Sequence, residues 1–355
     1  MAFLTRSIGV AAALAASALA LSACSGTSTS DTTSGSTAAA SADDFGDLTV
    51  QLSWIKNEEF SGEYIADTEG YYDEAGFDSV SLVPGPSSGA TELISGTADV
   101  AISDAVSIGS VVASEGAPLK IVGALFQKNP FSVLSLADAG NIATPEDLIG
   151  KRIGVQDSNR AIFDALLLAN DIGADEVEIV PVQYDTSPLT TGEVDGFISY
   201  LTNESLTVAM EGYDTVDLAF ADNGLPFVAK TYTVTDETIE NDREMVKAFL
   251  EAEIRGWTEA LADPAVGVEL AMTEYGADLG LDEEHSLAGA EAQVALISTD
   301  ETLENGLFTI SDALVEENLA SLAAAGIDID AEALFDLSLL AEVYDENPDL
   351  VAYEQ

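Results

Sequence analysis

From residue 48 onward the chain alternates short apolar runs with amphipathic stretches. The first run, Leu48-Val50-Leu52-Trp54, has the period-two pattern of a strand, and a polar loop follows it at Lys56-Asn57. A helix is predicted after that loop, through Tyr64 and Thr68. The loop therefore leaves the carboxyl end of a strand and enters a helix, which is where open α/β sheets bind ligands.

The same alternation predicts an α/β protein with two lobes. Further strands are predicted at 79–83, 100–102, 119–125, 131–136, 151–155, 177–181, 194–200 and 227–234, with helices between them. More helices close the chain, at 242–262, 264–275, 282–297, 311–325 and 331–344. The pattern changes near Pro130 and Leu225, so we assign 47–130 and 226–355 to lobe 1 with its C-terminal helices, and 131–225 to lobe 2. Two lobes joined by two crossings predict a ligand cleft between them and a hinge at the crossings.

Residues 1–23 have the anatomy of a secretory signal peptide. Its apolar run, 8–21, is short for a membrane span and ends in small residues. The ending Leu21-Ser22-Ala23-Cys24 resembles the lipobox of bacterial lipoproteins, which implies cleavage before Cys24, lipidation of its thiol and anchoring at the outer face of the cell membrane. An ordinary buried cysteine is the alternative, and no disulfide can form within the chain because Cys24 is its only cysteine. The Ser/Thr/Ala/Gly-rich stretch 24–46 is expected to be a flexible tether.

The charge balance limits the classes of partner. Lys and Arg number 11 against 64 Asp and Glu, which gives a formal net charge of −53. This balance argues against nucleic acid as a partner, because phosphate binding needs clustered cations. His285 is the only histidine, and the sequence has no Cys/His cluster, P-loop or GxGxxG motif. We therefore expect no metal site, no cofactor and no nucleotide chemistry.

The loop after the first strand supplies the first candidate binding residues. Trp54 would stack on a heteroaromatic ring, with core packing as the alternative. Asn57 offers a donor and an acceptor to a pyrimidine edge, although Asn is also an ordinary turn residue. Tyr64 would form a second wall or pack in the core, and the small Gly62 suits a flat polar ligand.

Two further stretches of lobe 1 follow predicted strands. Ser87 and Ser88 lie in a G-x-S-x-G stretch, where their hydroxyls and the N–H groups of the next helix would grip a polar or anionic ligand group. The same stretch is the sequence context of a hydrolase nucleophile elbow with Ser87 as nucleophile. A catalytic triad is not expected, because the lone His285 lies in a late amphipathic helix. Asp104 is a candidate contact or a plain helix N-cap.

Lobe 2 supplies candidates at one predicted strand end. Tyr200, Asn203 and Glu204 end a strand and begin a helix. We expect Glu204 to accept a hydrogen bond from an exocyclic amine of the ligand, with the other two side chains beside it.

Several motifs fall in order along residues 47–280. They are Leu52-Ser53-Trp54, Asn57, Gly62-Glu63-Tyr64-Ile65-Ala66, Gly70-Tyr71-Tyr72, Leu93-Ile94-Ser95-Gly96-Thr97-Ala98-Asp99-Val100-Ala101, Asp147-Leu148-Ile149-Gly150-Lys151-Arg152-Ile153-Gly154-Val155 and Thr202-Asn203-Glu204. With them the chain resembles the substrate-binding proteins of bacterial ABC importers, in the thiamine-pyrimidine-precursor and sulfonate-binding superfamily. The resemblance implies the type II periplasmic-binding-protein fold. It also implies a monomer outside the membrane that is not an enzyme and delivers a small molecule to a permease served by a separate ATPase.

The resemblance also suggests a ligand. The W-x-x-N block at Trp54 and Asn57, with the Gly-x-Tyr after it, looks like the branch that holds hydroxymethylpyrimidine or formylaminopyrimidine. Riboflavin, and an aliphatic sulfonate or nitrate, are the alternatives within the superfamily. Phe60-Ser61 departs from the family pattern, since many relatives carry His just before the glycine. That departure removes one hydrogen-bonding side chain.

Because the like charges of so acidic a chain repel one another, added salt should stabilise its fold. We expect the melting temperature, followed by circular dichroism, to be several degrees higher at about 1 M NaCl than at low salt. An unchanged melting temperature would contradict this expectation.

Overall fold

The computed structural model describes residues 44–354. The signal peptide, Cys24 and the tether up to residue 43 lie outside this part of the chain, so those expectations stay predictions. Within the described part, no helix is both long enough and apolar enough to cross a membrane.

The strands are β1 Gly46–Gln51, β2 Phe77–Val83, β3 Val100–Asp104, β4 Leu119–Phe126, β5 Phe131–Leu136, β6 Arg152–Val155, β7 Glu178–Pro181, β8 Gly196–Tyr200, β9 Thr215–Ala219 and β10 Ala229–Thr235. The helices are α1 Ser61–Thr68, α2 Tyr71–Ala75, α3 Ala90–Ser95, α4 Ala105–Glu115, α5 Arg160–Ala169, α6 Ser187–Thr190, α7 Glu204–Met210, α8 Asp236–Asn241, α9 Arg243–Ala262, α10 Pro264–Leu270, α11 Glu283–Ile297, α12 Asp300–Asn305, α13 Asp312–Ala324, α14 Ala331–Leu334 and α15 Ser338–Glu346. Short 3₁₀ turns include Glu58–Phe60, called the 58–60 turn below.

Two five-stranded sheets form two α/β lobes, as the alternation predicted. The first sheet has the order β2-β1-β3-β10-β4 and the second β7-β6-β8-β5-β9. In the first, β10 runs antiparallel to both its neighbours, and in the second β5 does. Each of these two strands is the first one after the chain crosses from the other sheet, at 127–130 for β5 and at 220–228 for β10. The two crossings thus lie side by side under the space between the lobes.

The structure corrects several predicted boundaries. The first strand ends at Gln51, not at Trp54, because the chain turns there toward the 58–60 turn. The fold begins before residue 47, since Gly46 is already in β1 and the Phe45 N–H donates to the Gly76 carbonyl at 2.9 Å. Strand β9 was not predicted. The last predicted helix is two helices, separated where Phe335 pairs with Ile121 of β4.

The C-terminal helices do not belong to lobe 1 alone. Helix α11 contacts α7 of lobe 2, and α13 contacts α5 of lobe 2. One apolar cluster also joins both lobes, through Phe131, Phe220 and Phe227. The ring centroid of Phe131 lies 5.9 Å from that of Phe220 and 6.1 Å from that of Phe227. Burial of these rings at the crossings ties the two lobes together at their base.

Helix α9 forms the back of lobe 1 and packs closely against α1. A Cβ added at Gly256 of α9 would lie 2.2 Å from the carbonyl oxygen of Gly62 in α1. Only glycine therefore permits this helix crossing. This contact between α1 and α9 matters for function because α1 begins directly after the 58–60 turn.

We expect Gly256→Ala to destabilise the protein by about 1–3 kcal/mol, because the added methyl group must push α1 and α9 apart. The measurement is urea unfolding followed by tryptophan fluorescence. Gly173→Ala is the matched control, since its Cβ would meet only the flexible ends of Asp175 and Glu176. Equal effects of the two substitutions would contradict the packing argument.

Candidate functional site

A cavity lies between the lobes and is lined by residues of both, at the kind of domain boundary where pockets commonly occur. Lobe 1 contributes residues that follow β1, β2 and β3, and lobe 2 contributes residues that follow β6 or end β8. The lining residues are Ser53, Trp54, Glu59, Ser87, Ser88, Ser103, Asp104, Ser107, Phe131, Gln156, Ser158, Asn159, Ile198, Ser199, Tyr200, Asn203 and Glu204.

Most of the predicted site residues meet in this cavity. They are Trp54, Ser87, Ser88 and Asp104 from lobe 1, and Tyr200, Asn203 and Glu204 from lobe 2. Two stretches far apart in sequence thus face each other, because strand ends of both sheets point into the same space. Ligand contact by these side chains stays a prediction.

Three predicted site residues lie outside the cavity lining, and their expected roles are corrected. Asn57 is buried and caps the 58–60 turn, with its Oδ1 accepting from the Glu59 N–H at 3.3 Å. Gly62 lies against the indole of Trp257, where a Cβ would come within 2.3 Å of the ring. Tyr64 is fully buried and stacks on Tyr275, with ring centroids 4.2 Å apart. These residues hold the wall in place but do not form its surface.

Aromatic rings supply the apolar part of the cavity. Trp54 lines it from lobe 1 and is also part of the lobe 1 core, and its stacking on a ligand ring stays a prediction. Tyr200 lines it from lobe 2 and meets the ring of Phe131 edge-on at 4.6 Å. Flat apolar faces of this kind suit a planar ring.

Carboxyl groups supply the charged part of the cavity. Burial raises the pKa of Glu59 to about 7, although the charge of Lys230 and the hydroxyl of Ser53 act against it. Burial also raises the pKa of Glu204 to about 7, against the Tyr200 N–H, which donates to its Oε2 at 2.9 Å. Among the lining residues that the structure describes, none is Lys, Arg or His.

Asp104 and Ser87 are held by local hydrogen bonds. Asp104 caps α4, with its Oδ1 accepting from the N–H groups of Val106 and Ser107 at 2.9 Å. Its pKa is raised by burial, and these hydrogen bonds oppose the rise. The Ser87 hydroxyl donates to Glu92 and accepts from the Gly89 N–H, both at 3.0 Å. In residues 44–354 no hydrogen bond joins this hydroxyl to a histidine.

His285 does not complete a triad at the cavity. It lies in the first turn of α11, where its backbone N–H donates to Asp282, and it is not a lining residue. In residues 44–354 no group of three or more His, Cys, Asp or Glu side chains is placed to hold a metal ion.

Several lining residues were missed in the sequence. The sequence did not distinguish Glu59 as a site residue, because acidic residues occur throughout the chain. Gln156 follows β6, donates to the Ile198 carbonyl at 3.0 Å and accepts from Asn159 at 3.0 Å. Its place after a predicted strand could have identified it, as it identified Asp104. Phe131 was read as the start of a strand, and only the three-dimensional structure places its ring at the cavity.

Comparisons with known proteins agree with this architecture. The family described as NMT1/THI5 like matches residues 57–266. The riboflavin-binding protein RibY of Chloroflexus aurantiacus is 26% identical over 63% of this chain and 65% of its own length. The formylaminopyrimidine-binding protein of Halalkalibacterium halodurans is 23% identical over 63% of this chain and 69% of its own. The chain thus spans just under two thirds of the first of these relatives.

A solved structure shows the same fold. The periplasmic nitrate-binding protein NrtA from Synechocystis has a TM-score of 0.63 at 12% identity, over 86% of this chain and 90% of its own. The predicted two-lobed periplasmic-binding-protein fold is confirmed by this likeness.

One further acid lies behind the cavity. Glu58 is buried, and its Oε1 lies against α11, where a Cβ at Gly289 would come within 2.7 Å of it. Burial, together with the charges of Glu59 and Glu204, raises the pKa of Glu58 to about 8. The folded protein therefore keeps a proton on Glu58 that the unfolded chain releases near its ordinary pKa of 4.5.

The stability contributed by this proton is full below about pH 4.5 and is lost as the pH rises through about 8. As the pH rises from about 5.5 to about 8.5, the free energy of unfolding should therefore fall by about 3 kcal/mol less for Glu58→Gln than for the unsubstituted protein. The measurement is urea unfolding at each pH. The exposed Glu115→Gln is the control, because it makes the same chemical change at a carboxyl group that the fold does not bury. Parallel pH profiles for all three proteins would refute the role of Glu58.

Proposed function

Since the chain belongs to the NMT1/THI5-like family, we propose that it is the substrate-binding protein of an ABC importer and captures an amine-bearing pyrimidine. Hydroxymethylpyrimidine and formylaminopyrimidine are the ligands of this kind that we favour. The protein would deliver the ligand to a permease and its ATPase and would itself carry out no reaction.

One observation carries this proposal: the carboxyl groups of Glu59, Asp104 and Glu204 line the cavity, and no cationic side chain of residues 44–354 does. Ionised carboxyl groups only accept hydrogen bonds, so they match the N–H groups of an aminopyrimidine. Trp54 and Tyr200 offer apolar faces for its ring. The amide of Asn203 and the serine hydroxyls can serve the ring nitrogens.

The alternatives fit this cavity less well. An aliphatic sulfonate or nitrate would enter a low-dielectric space next to like charges, with no cation to pair with it. Riboflavin, the ligand in the name of one relative, has a ring edge with a single N–H between two carbonyls. That edge presents more acceptors than donors, so it would need Glu59 or Glu204 to be protonated.

The remaining features of the proposal concern the whole protein. We propose that Cys24 anchors it to the outer face of the cell membrane and that it acts as a monomer. The lobes, residues 47–130 with 226–355 and residues 131–225, would close on the ligand by bending at the two crossings. A ligand that contacts Trp54 and Glu204 bridges both lobes and would favour the closed form.

Calorimetry with 4-amino-5-hydroxymethyl-2-methylpyrimidine and its formylaminomethyl analogue tests the proposal. We expect Trp54→Ala and Glu204→Gln each to weaken binding about tenfold or more, since one loses the stacking face and the other a charged acceptor. Glu115→Gln, at an exposed site, should bind like the unsubstituted protein. A ligand at about a hundred times its dissociation constant should also add about 2.7 kcal/mol to stability.

Other outcomes would identify another function. Binding of nitrate or an alkanesulfonate, with no response to either pyrimidine, would remove the proposed ligand class. Tighter binding of riboflavin below about pH 7 would favour the flavin alternative. Ester hydrolysis that disappears in Ser87→Ala would show an enzyme.

A further inference from the structure

Lys230 is a buried cation directly behind the cavity wall. Its side chain is fully buried, and the residue has a φ of 48°, in the left-handed region that non-glycine residues seldom adopt. It is also the residue at which the pairing of β10 with β3 shifts register, between Ala229 and Thr231. A bulge of this kind re-aims a side chain, and here it directs the ammonium group away from the sheet toward α1.

The contacts of Lys230 converge on the 58–60 turn. Its Nζ donates a hydrogen bond to the main-chain carbonyl of Glu59 and lies 3.4 Å from the Glu63 carboxylate. It also lies 4.0 Å from the ring centroid of Phe60 and 4.8 Å from that of Trp257. Contacts with a carbonyl, a carboxylate and two ring faces offset the free-energy cost of burying the ammonium group.

These contacts matter for binding because Glu59 is the acidic residue of the turn that lines the cavity. The Lys230 bond holds the backbone of Glu59, so it also limits where the Glu59 carboxyl can lie. The same ammonium group is the positive charge next to that carboxyl. Lys230 thus contacts the backbone of Glu59 and also lowers the pKa of its carboxyl group.

We propose that Lys230 is a positioning residue that keeps Glu59 in the cavity wall and in its ionised form, and thereby sets the lowest pH at which the protein captures an amine-bearing ligand. This inference rests on the proposed function for its ligand class. The effect of Lys230 on Glu59 itself does not require a ligand.

The charges around Glu59 agree with this role. Beside Lys230, the titratable groups that face it are Glu58 of the same turn, Glu63 of α1, Tyr200 of β8 and Glu204 of α7. All of them except Lys230 are acids. Burial raises the pKa of Glu59 to about 7, and the charge of Lys230 is the strongest influence that lowers it. Loss of Lys230 would therefore move the pKa of Glu59 further up.

The alternative is that Lys230 only stabilises the core. It lies close to Glu63, and the Tyr232 hydroxyl donates to both Glu63 and Glu253 at 3.1 Å. A purely structural role would lower ligand affinity by the same factor at every pH. The proposed role predicts a loss that depends on pH, because the missing charge matters only where Glu59 titrates.

The test compares Lys230→Met, Glu59→Gln and the double variant by calorimetry with 4-amino-5-hydroxymethyl-2-methylpyrimidine, between about pH 6 and 9. We expect Lys230→Met to bind about tenfold more weakly near pH 7 and to recover most of that affinity near pH 9. Glu59→Gln should lose the titration step that belongs to Glu59 and keep that of Glu204, whose pKa is also raised to about 7, and adding Lys230→Met to it should not shift the remaining step. Lys151→Met is the control, because Lys151 also donates to a carbonyl, that of Gly140 at 3.1 Å, but lies away from the cavity.

A pH-independent loss in Lys230→Met, or an equal shift in the double variant, would overturn the proposal. If Lys230→Met does not fold, Lys230→Gln, which has no charge but keeps a hydrogen-bond donor for the Glu59 carbonyl, carries the same prediction. NMR titration of ¹³C-labelled glutamate carboxyls, with Glu59→Gln as the assignment, reads the pKa of Glu59 without ligand. If no pyrimidine binds, the proposed function fails, whereas an unchanged Glu59 titration in Lys230→Met refutes the role of Lys230.

Discussion

Buried carboxyl groups with little positive charge near them are the constraint on which this site depends. Those in and behind the cavity belong to Glu58, Glu59, Glu63, Asp104, Glu204 and Glu253. Each would cost several kcal/mol if it were ionised without compensation. Asp104 is compensated by helix N–H groups and Glu253 by the hydroxyls of Tyr72 and Tyr232. The carboxyl groups of Glu59 and Glu204 face the cavity, and burial raises the pKa of each to about 7 in spite of the contacts that stabilise the ionised form.

The two incompletely compensated carboxyl groups belong to different lobes. Glu59 precedes α1 of lobe 1, and Glu204 begins α7 of lobe 2. Their repulsion opposes approach of the lobes, and a ligand with N–H donors between them offsets it. A ligand shifts a conformational equilibrium only by its difference in affinity for the two forms. On the proposed function, ligand selection and lobe closure would therefore share the same electrostatic cause.

The sequence pattern predicted the lobes and many of the cavity residues, for a common reason. Trp54, Asp104 and Glu204 follow or end predicted strands, and strand ends of one sheet lie together. The pattern could not tell which side chains of the next turn point outward, so it left Tyr64 either in the wall or in the core, where it stacks on Tyr275. Glu59 had no distinguishing mark among 64 acidic residues. Its importance follows from burial and from its contact with Lys230, which is far away in the sequence.

The acidity of the whole chain and the acidity of the cavity both favour a neutral or cationic ligand over an anionic one. The first acts while the ligand is still far from the cleft, and the second acts once the ligand is in the cavity. A net charge of −53 produces a field that repels anions and attracts cations before they reach the cleft. Salt screens this field over about 10 Å at 0.1 M, so it acts on the encounter more than on the bound state. Within the cavity, screening is weak and the charges of Glu59 and Glu204 decide which ligand stays. An anionic ligand would be repelled both during its approach and in the cavity. A neutral or cationic amine would not be repelled during its approach, and it would find hydrogen-bond acceptors in the cavity.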